Sequence, residues 1–244
     1  MGMKIESPQN QTIKSLAKLS SKKQRDETGQ FLVEGWHLVQ EAQRAGCLEH
    51  VYQLENLPTL EDIKTSICTQ AVLNKLSSQK SDAKYIGVCH KPTIEKPLLA
   101  FSKVLLLDRL QDPGNVGALI RSAYSFGIEA IVLSNDCADP YGPKTIQSSQ
   151  GALFHLPLFQ TDLLEAIEIL KRQDVPVFGA ALHQKAIRLH ELNIPTRFGL
   201  VIGNEGQGIS QEVLKTCSEC IYIQMASFES LNAAIAGSIL MNAR

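Results

Sequence analysis

No run of about 18 apolar residues occurs in the 244-residue chain, so it offers no candidate membrane-spanning helix. No leader with a basic start, an apolar middle and a small-residue cleavage site opens it either, which predicts a soluble, cytoplasmic protein. Charge is almost balanced, with 24 Lys and Arg against 25 Asp and Glu, and this excludes a chain that gathers polyanions by bulk charge. A zinc framework is missing as well. The six cysteines are scattered, and Cys217-Ser-Glu-Cys220 has no second pair to complete four ligands. That pair also comes near the end of the chain, whereas a thioredoxin-like motif follows the first strand of its fold. No metal is predicted. No G-x-G-x-x-G follows a strand pattern, which disfavours a dinucleotide-dependent oxidoreductase. Internal repeats and low-complexity segments are absent.

Two regions are present in their place. Up to about residue 97 the elements are short. A polar helix is predicted over about 9–20, a loop over "SSKKQRDETGQ", and a helix from Trp36 to Ala45 with Leu38, Val39 and Ala42 on one face and Gly46 as its stop. "HVYQL" and "YIGVCH" read as strands, "AVLNKL" as a helical turn, and "HKPTIEKP" as a linker. Residues 1–28 carry Lys4, Lys14, Lys18, Lys22, Lys23 and Arg25 against Glu6, Asp26 and Glu27, a basic surface able to meet phosphate. Beyond residue 97, near-continuous apolar runs ("KVLLLD", "EAIVLS", "FHLPLF", "VPVFGA", "FGLVIG", "CIYI") alternate with helical patterns clearest at 115–126, 161–173 and 229–243. That alternation predicts an α/β domain with a mainly parallel sheet covered on both faces. Ligands of such sheets sit beyond the carboxyl ends of the strands, here after Leu107, Ala180, Gly203 and Ile223.

Three stretches carry chemistry. In "LLLDRLQDPGNVGALIRSAYSFG" a strand leads through a turn into a helix whose apolar stripe is Val116, Leu119, Ile120, Ala123 and Phe126, with Asn115 suited to cap its start and Gly127 to stop it. Its opposite face, Gly117, Ala118, Arg121 and Ser125, projects one arginine from small neighbours. In "GLVIGNEGQGIS" a buried strand ends in three glycines within six residues, which frees backbone groups for a ligand. Ile209-Ser210 stands where a Walker loop needs Lys-Ser/Thr, and Glu205 would repel phosphate; it suits a cation or hydroxyls instead. In "IYIQMASFESLNAAIAGSIL" a strand gives way to a polar bend, with Ser230 and Asn232 placed at the head of an Ala-rich helix.

N-x-G-x-x-x-R, then G-N-E-G-x-G, then S-L-N resembles the SpoU (TrmH) family of RNA ribose 2′-O-methyltransferases in the SPOUT superfamily. The likeness spans residues 104–244 and includes "SSQGALFHLP" between the first two motifs. "FLVEGWHLVQEA" resembles the front RNA-binding domain, similar to ribosomal protein L30e, that precedes many members. The resemblance implies an L30e-like domain with linker over residues 1–97 and a methyltransferase domain over 98–244 whose parallel sheet carries a deep trefoil knot. It implies S-adenosyl-L-methionine as cofactor, with Gly203, Ile223, Met225 and Leu231 matching cofactor-contacting positions and Ala180 ending the preceding strand. It implies catalysis through Asn115, Arg121, Glu205, Ser230 and Asn232. Arginine keeps its proton in proteins, so Arg121 is expected to clamp phosphate and steady alkoxide charge while Asn115 orients the ribose. RNA is the implied substrate, ribosomal before transfer RNA, with Lys18, Lys22, Lys23 and Arg25 adding affinity. A homodimer through the C-terminal domain is implied too. A noncatalytic RNA-binding relative is the alternative, disfavoured by the intact polar set. The family commonly has Pro where Gln224 stands and Val where Ala233 stands, both beside the site.

Overall fold

The structure is a computed structural model that describes residues 4–79, 82–182, 186–193, 195–226 and 231–243. Its contacts divide the chain into two bodies, residues 1–92 with 139–155, and residues 93–138 with 156–244.

The first body begins with β1 (Lys4–Ile5), α1 (Gln11–Ala17), α2 (Lys22–Thr28), β2 (Gln30–Glu34) and α3 (Trp36–Arg44). It continues with β3 (Leu48–Gln53), β4 (Lys64–Cys68), α4 (Gln70–Leu76) and β5 (Tyr85–His90). The strands form one mixed sheet in the order β1-β4-β3-β5-β2. The segment "SSKKQRDETGQ" contains a helix where a loop is expected from its charge. Ser21 caps α2 by accepting from Gln24 N, and Gly29, at φ 69°, ends it, so start and stop signals outweigh the polar composition. The strand β4 escapes the apolar pattern because one of its inward residues is Ser66.

The second body opens with β6 (Lys103–Asp108), α5 (Pro113–Ser125) and β7 (Ala130–Leu133). The chain then contributes α6 (Pro143–Ser149) to the first body before returning as β8 (Leu158–Gln160), α7 (Leu163–Lys171), β9 (Val177–Ala180) and β10 (Ile187–Arg188). It closes with β11 (Phe198–Gly203), α8 (Gln211–Thr216), β12 (Glu219–Tyr222) and α9 (Ala233–Asn242). Seven strands lie in the order β10-β12-β9-β11-β6-β7-β8, and every pairing is parallel. Strands without an antiparallel neighbour need crossover connections, and the helices that make them cover both faces, which is why these runs are apolar throughout. On one face Val104, Leu106, Val132, Val177 and Val201 pack under Leu163, Ile167, Leu170 and Val213 of α7 and α8. Each such side chain contributes roughly 1.5–3 kcal/mol on leaving water. On the other face α5 and α9 lie together over the sheet. A Cβ on Gly237 would come within 2.4 Å of Leu119 Cδ2 and 3.4 Å of Ile202 Cγ1, so this approach depends on glycine.

In the helix after β6, Val116, Leu119, Ile120 and Ala123 are buried as their spacing requires, and Phe126 is half-buried. The cap is Asp112 rather than Asn115. Its carboxylate accepts from Gly114 N at 2.6 Å and Asn115 N at 3.0 Å, with Pro113 next to it in the first turn. Asn115 therefore stands one turn in, with its side chain free for another task.

Candidate functional site

Parallel pairing aligns the strand ends. Gly203, ending β11, pairs with Asp108, ending β6, and Ala180, ending β9, pairs with Ile221 of β12. The loops that follow leave from one edge of the sheet, where expectation places a ligand.

The loop after β11 folds back on itself. Asn204 and Gly208 exchange backbone hydrogen bonds of 3.0 and 2.9 Å, and Asn204 Oδ1 accepts from Gly206 N and Gln207 N. A Cβ on Gly203 would stand 2.2 Å from Ile209 N, so the return path excludes any larger residue there. Glu205 projects from this loop. Its carboxylate accepts from Asn115 Nδ2 at 2.9 Å, from Asp112 N at 3.3 Å and from Gln111 N at 3.4 Å. Partial burial works against its charge, but the Asn115 amide and the surrounding backbone N–H groups outweigh that and hold the carboxyl below the usual glutamate range.

The chain of bonds continues. Asn232 Nδ2 donates to Asn115 Oδ1 at 2.9 Å, while Asn232 Oδ1 caps α9 by accepting from Ala234 N and Ile235 N. Each amide is thus oriented by a partner at either end. Three sequence motifs meet in one line, Glu205–Asn115–Asn232.

Other expected site residues fall as follows. Arg121 is exposed on α5, and among the described residues no hydrogen bond or ion pair engages its guanidinium. Ser230 lies outside the described residues. Ala180 and Gly203 are half-buried at the ends of β9 and β11, Ile223 and Met225 are half-buried after β12, and Leu231, 38% exposed, precedes the α9 cap. Lys18, Lys22 and Lys23 are exposed in the first body.

Arg25 departs from expectation. It is 4% exposed, and its guanidinium donates to Asp139 Oδ2 at 2.5 and 3.0 Å and to the carbonyls of Leu19 and Ser20. A neighbouring lysine run makes any arginine look like part of the same basic surface. Here the position is on the buried face of α2, and its guanidinium is held by Asp139 and by the Leu19 and Ser20 carbonyls within the first body, which turns it away from a phosphate at the surface.

Two residues with no sequence signal join the site, Asp108 and Arg109. Asp108 is buried and accepts from Ser210 N at 2.6 Å, and Arg109 takes φ 57° and reaches the loop at Gln207 and Gly208. Cys217 lies before β12 and Cys220 on it. Burial pushes the Cys217 thiol up to about 12, the state of a packed thiol rather than a reactive thiolate. Among the described residues no group of three His, Cys, Asp or Glu side chains is placed to hold a metal ion, and no helix is long and apolar enough to cross a membrane.

On its last face the second body leaves Tyr124, Leu231, Ile235 and Ile239 exposed at 38–53%. On α9, Ile235 and Ile239 lie exposed, Ala236 is half-buried, and Ala233 is buried.

Comparison with known proteins gives two matching families. The SpoU rRNA Methylase family matches residues 102–242, and the MRM3-like substrate binding domain matches residues 10–87. The 23S rRNA (guanosine(2553)-2′-O)-methyltransferase RlmP of Bacillus subtilis (strain 168) is 35% identical over 243 residues, with 97% of each chain covered. The crystal structure of an RNA 2′-O ribose methyltransferase superposes with TM-score 0.83 at 29% identity, covering 99% of this chain and 97% of that one. The AdoMet-bound rRNA methyltransferase from Sinorhizobium meliloti superposes with TM-score 0.86 at 25% identity, covering 98% of this chain and 95% of its own.

Proposed function

The chain belongs to the SpoU rRNA methylase family, and from that premise we propose that it transfers a methyl group from S-adenosylmethionine to a ribose 2′-hydroxyl of RNA. The observation that carries this reading is the Glu205–Asn115–Asn232 line, which joins all three motifs beyond the strand ends.

The residues at that edge suit the cofactor. Ala180, Gly203, Ile223, Met225 and Leu231 bring no cationic side chain that would repel a sulfonium, and the folded-back loop leaves room beside Gly203 only for backbone. These five would hold S-adenosylmethionine, which supplies an electrophilic methyl on sulfur when bound. The rest is work for the chain's own groups. Asn115, fixed at both ends, orients the ribose. Arg121, with its guanidinium unengaged, clamps a phosphate and steadies negative charge developing on the hydroxyl oxygen. Glu205 holds Asn115 and the turn at Gln111–Asp112. Ser230 belongs to the same set by its motif.

RNA first meets the basic face of Lys18, Lys22 and Lys23 in the front domain, residues 1–97, with the methyltransferase domain spanning 98–244. Ribosomal RNA is favoured over transfer RNA because the B. subtilis relative acts on 23S rRNA. A ribosomal substrate puts the enzyme in the cytoplasm. The uncovered Tyr124, Leu231, Ile235 and Ile239 support a two-fold dimer of the second body, since apolar clusters of this kind mark association surfaces. With the dimer goes the family's trefoil knot.

Calorimetry with S-adenosylmethionine and, separately, NAD tests the chemistry. Binding of the methyl donor in about the micromolar range is expected, and none of NAD. Mapping 2′-O-methyl groups in cellular rRNA and tRNA with and without the gene tests the target. A mark lost from tRNA alone overturns the rRNA assignment, and no binding of the methyl donor overturns the enzyme.

A further inference from the structure

Arg109 follows the last residue of β6 and takes φ 57°, a left-handed conformation that glycine adopts more easily than any residue with a Cβ. Were a turn all that the position required, glycine would serve better. The side chain shows what is retained at that cost. Nη1 donates to Gln207 Oε1 at 3.1 Å, Nη2 to Gly208 O at 3.3 Å, and Nε to Asp108 Oδ1 at 3.2 Å. The backbone is used too. Arg109 N donates to Ser134 Oγ at 2.9 Å, and Arg109 O accepts from Asn204 Nδ2 at 2.8 Å.

These bonds touch the glycine-rich loop at its entry, Asn204, and along its far limb, Gln207 and Gly208. Buried Asp108 takes its exit through Ser210 N at 2.6 Å. Between the entry and the far limb stands Glu205, aimed at Asn115. The loop's own bonds, between Asn204 and Gly208 and from Gly206 N and Gln207 N to Asn204 Oδ1, set its fold, but its attachment to the end of β6 depends on contacts from outside it. The planar guanidinium is the group that spans Asp108, Gln207 and Gly208 at once.

We propose that Arg109 is a positioning residue: it clasps the glycine-rich loop to the end of β6 and so keeps Glu205 against the Asn115–Asn232 pair. What the loop serves rests on the methyltransferase reading above; the clasp itself rests on geometry alone.

The test uses the full chain with Arg109→Gly, Arg109→Lys and Gln207→Ala. Arg109→Gly suits the backbone but leaves the buried Asp108 carboxylate without its cation, so its melting temperature should fall while the chain stays folded at the assay temperature. Its loop amides at 204–208 should exchange with deuterium about tenfold faster, and S-adenosylmethionine should bind about tenfold more weakly. Its kcat should fall about tenfold or more while KM for RNA is unchanged. Arg109→Lys should rescue neither exchange nor kcat, because a point charge cannot span three acceptors. Gln207→Ala, which deletes one acceptor, should shift loop exchange in the same direction by a few-fold. Parent-like loop exchange and kcat in Arg109→Gly would overturn the clasp, as would full rescue by lysine. If the parent itself binds no S-adenosylmethionine, the methyltransferase reading falls, and loop exchange in the variants still decides the clasp.

Discussion

Asn115 donates its side-chain amide to the carboxylate of Glu205 across 2.9 Å, although the two lie 90 residues apart in sequence. That bond decides which way the amide points. With Nδ2 committed to Glu205, Oδ1 is turned to Asn232, whose own Nδ2 must then donate. A reversal at one asparagine would set like groups against each other at the next, so the line has a single consistent orientation.

Asn232 has two tasks that one substitution can separate. Asp caps a helix as well as Asn but lacks the amide that donates to Asn115, whereas Ala loses both functions. Asn232→Asp should melt near the parent temperature. Asn232→Ala should fall by about 2–4 °C, the effect of roughly 1 kcal/mol in a chain of this size. Both should lose methyl transfer by about tenfold or more. Melting curves and single-turnover rates check this, and a fast Asn232→Asp enzyme would remove the Asn115–Asn232 bond from the mechanism.

Glu205 gives the line a pH dependence of definite sign. Its folded carboxyl titrates below the ordinary glutamate value of 4.5, because the Asn115 amide and backbone N–H groups overcome the effect of burial. A depressed carboxyl stabilises the fold above its unfolded pKa and loses that contribution as pH falls through the folded one. Cofactor affinity and melting temperature should therefore show no contribution from Glu205 titration between pH 8 and about 5, then decline on further acidification. Glu205→Gln should lack this acid limb while starting from a lower level. A Glu205→Gln profile with the parent's acid limb would assign it to another group.

Within the basic front segment, arginine and lysines should separate cleanly. Removing Arg25 leaves the half-buried Asp139 carboxylate without its cation and frees the Leu19 and Ser20 carbonyls; breaking such a pair costs about 3–5 kcal/mol. Arg25→Ala should therefore lower the melting temperature sharply. Lys18→Ala, Lys22→Ala and Lys23→Ala combined should leave melting almost unchanged, weaken RNA binding and flatten its salt dependence. Binding isotherms at several salt concentrations beside thermal melts make the comparison. Normal RNA binding by the triple variant at every salt would show those lysines to be merely solvated.

How far these features were legible depends on the range of the interaction. The parallel sheet was readable because β6, β7, β9 and β11 are each apolar on both faces, and that is a local property of the chain. Helix α5 was readable from its stripe, yet its cap was not: Asp112 and Asn115 are both good capping residues, and only the fold shows that Glu205 claims the second. Arg25 could not be told from its lysine neighbours, since Asp139, the partner that buries it, lies 114 residues further on. Arg109 carried no signal at all. A left-handed arginine is announced by neither periodicity nor motif, and its acceptors arrive from a loop 98 and 99 residues away.

Arg121 is the residue for which the single chain gives least and the dimer reading most. It stands on α5, six residues and about 120° around the helix from Asn115, so the two cannot point the same way. No described side chain holds it, whereas Glu205, Asn115 and Asn232 hold one another. In the proposed dimer the guanidinium serves the partner's site rather than its own. Arg121→Ala should then keep S-adenosylmethionine binding and dimerisation but lose about two or more orders of magnitude in methyl transfer, the size of losing a preorganised donor. Arg121→Lys should restore little, for want of the planar fork. Mixing settles the geometry. When Arg121→Ala is denatured and refolded with an equal amount of Asn232→Asp, half of the dimers contain one of each. In those, one site joins an intact Glu205–Asn115–Asn232 line to the other chain's intact Arg121. Activity should return to about a quarter of the parent's, since only one of two sites works in half of the dimers. No recovery in the mixture, with dimers confirmed by sedimentation, would place Arg121 in the site of its own chain. A near-normal rate for Arg121→Ala alone would make it a surface residue with no part in the reaction.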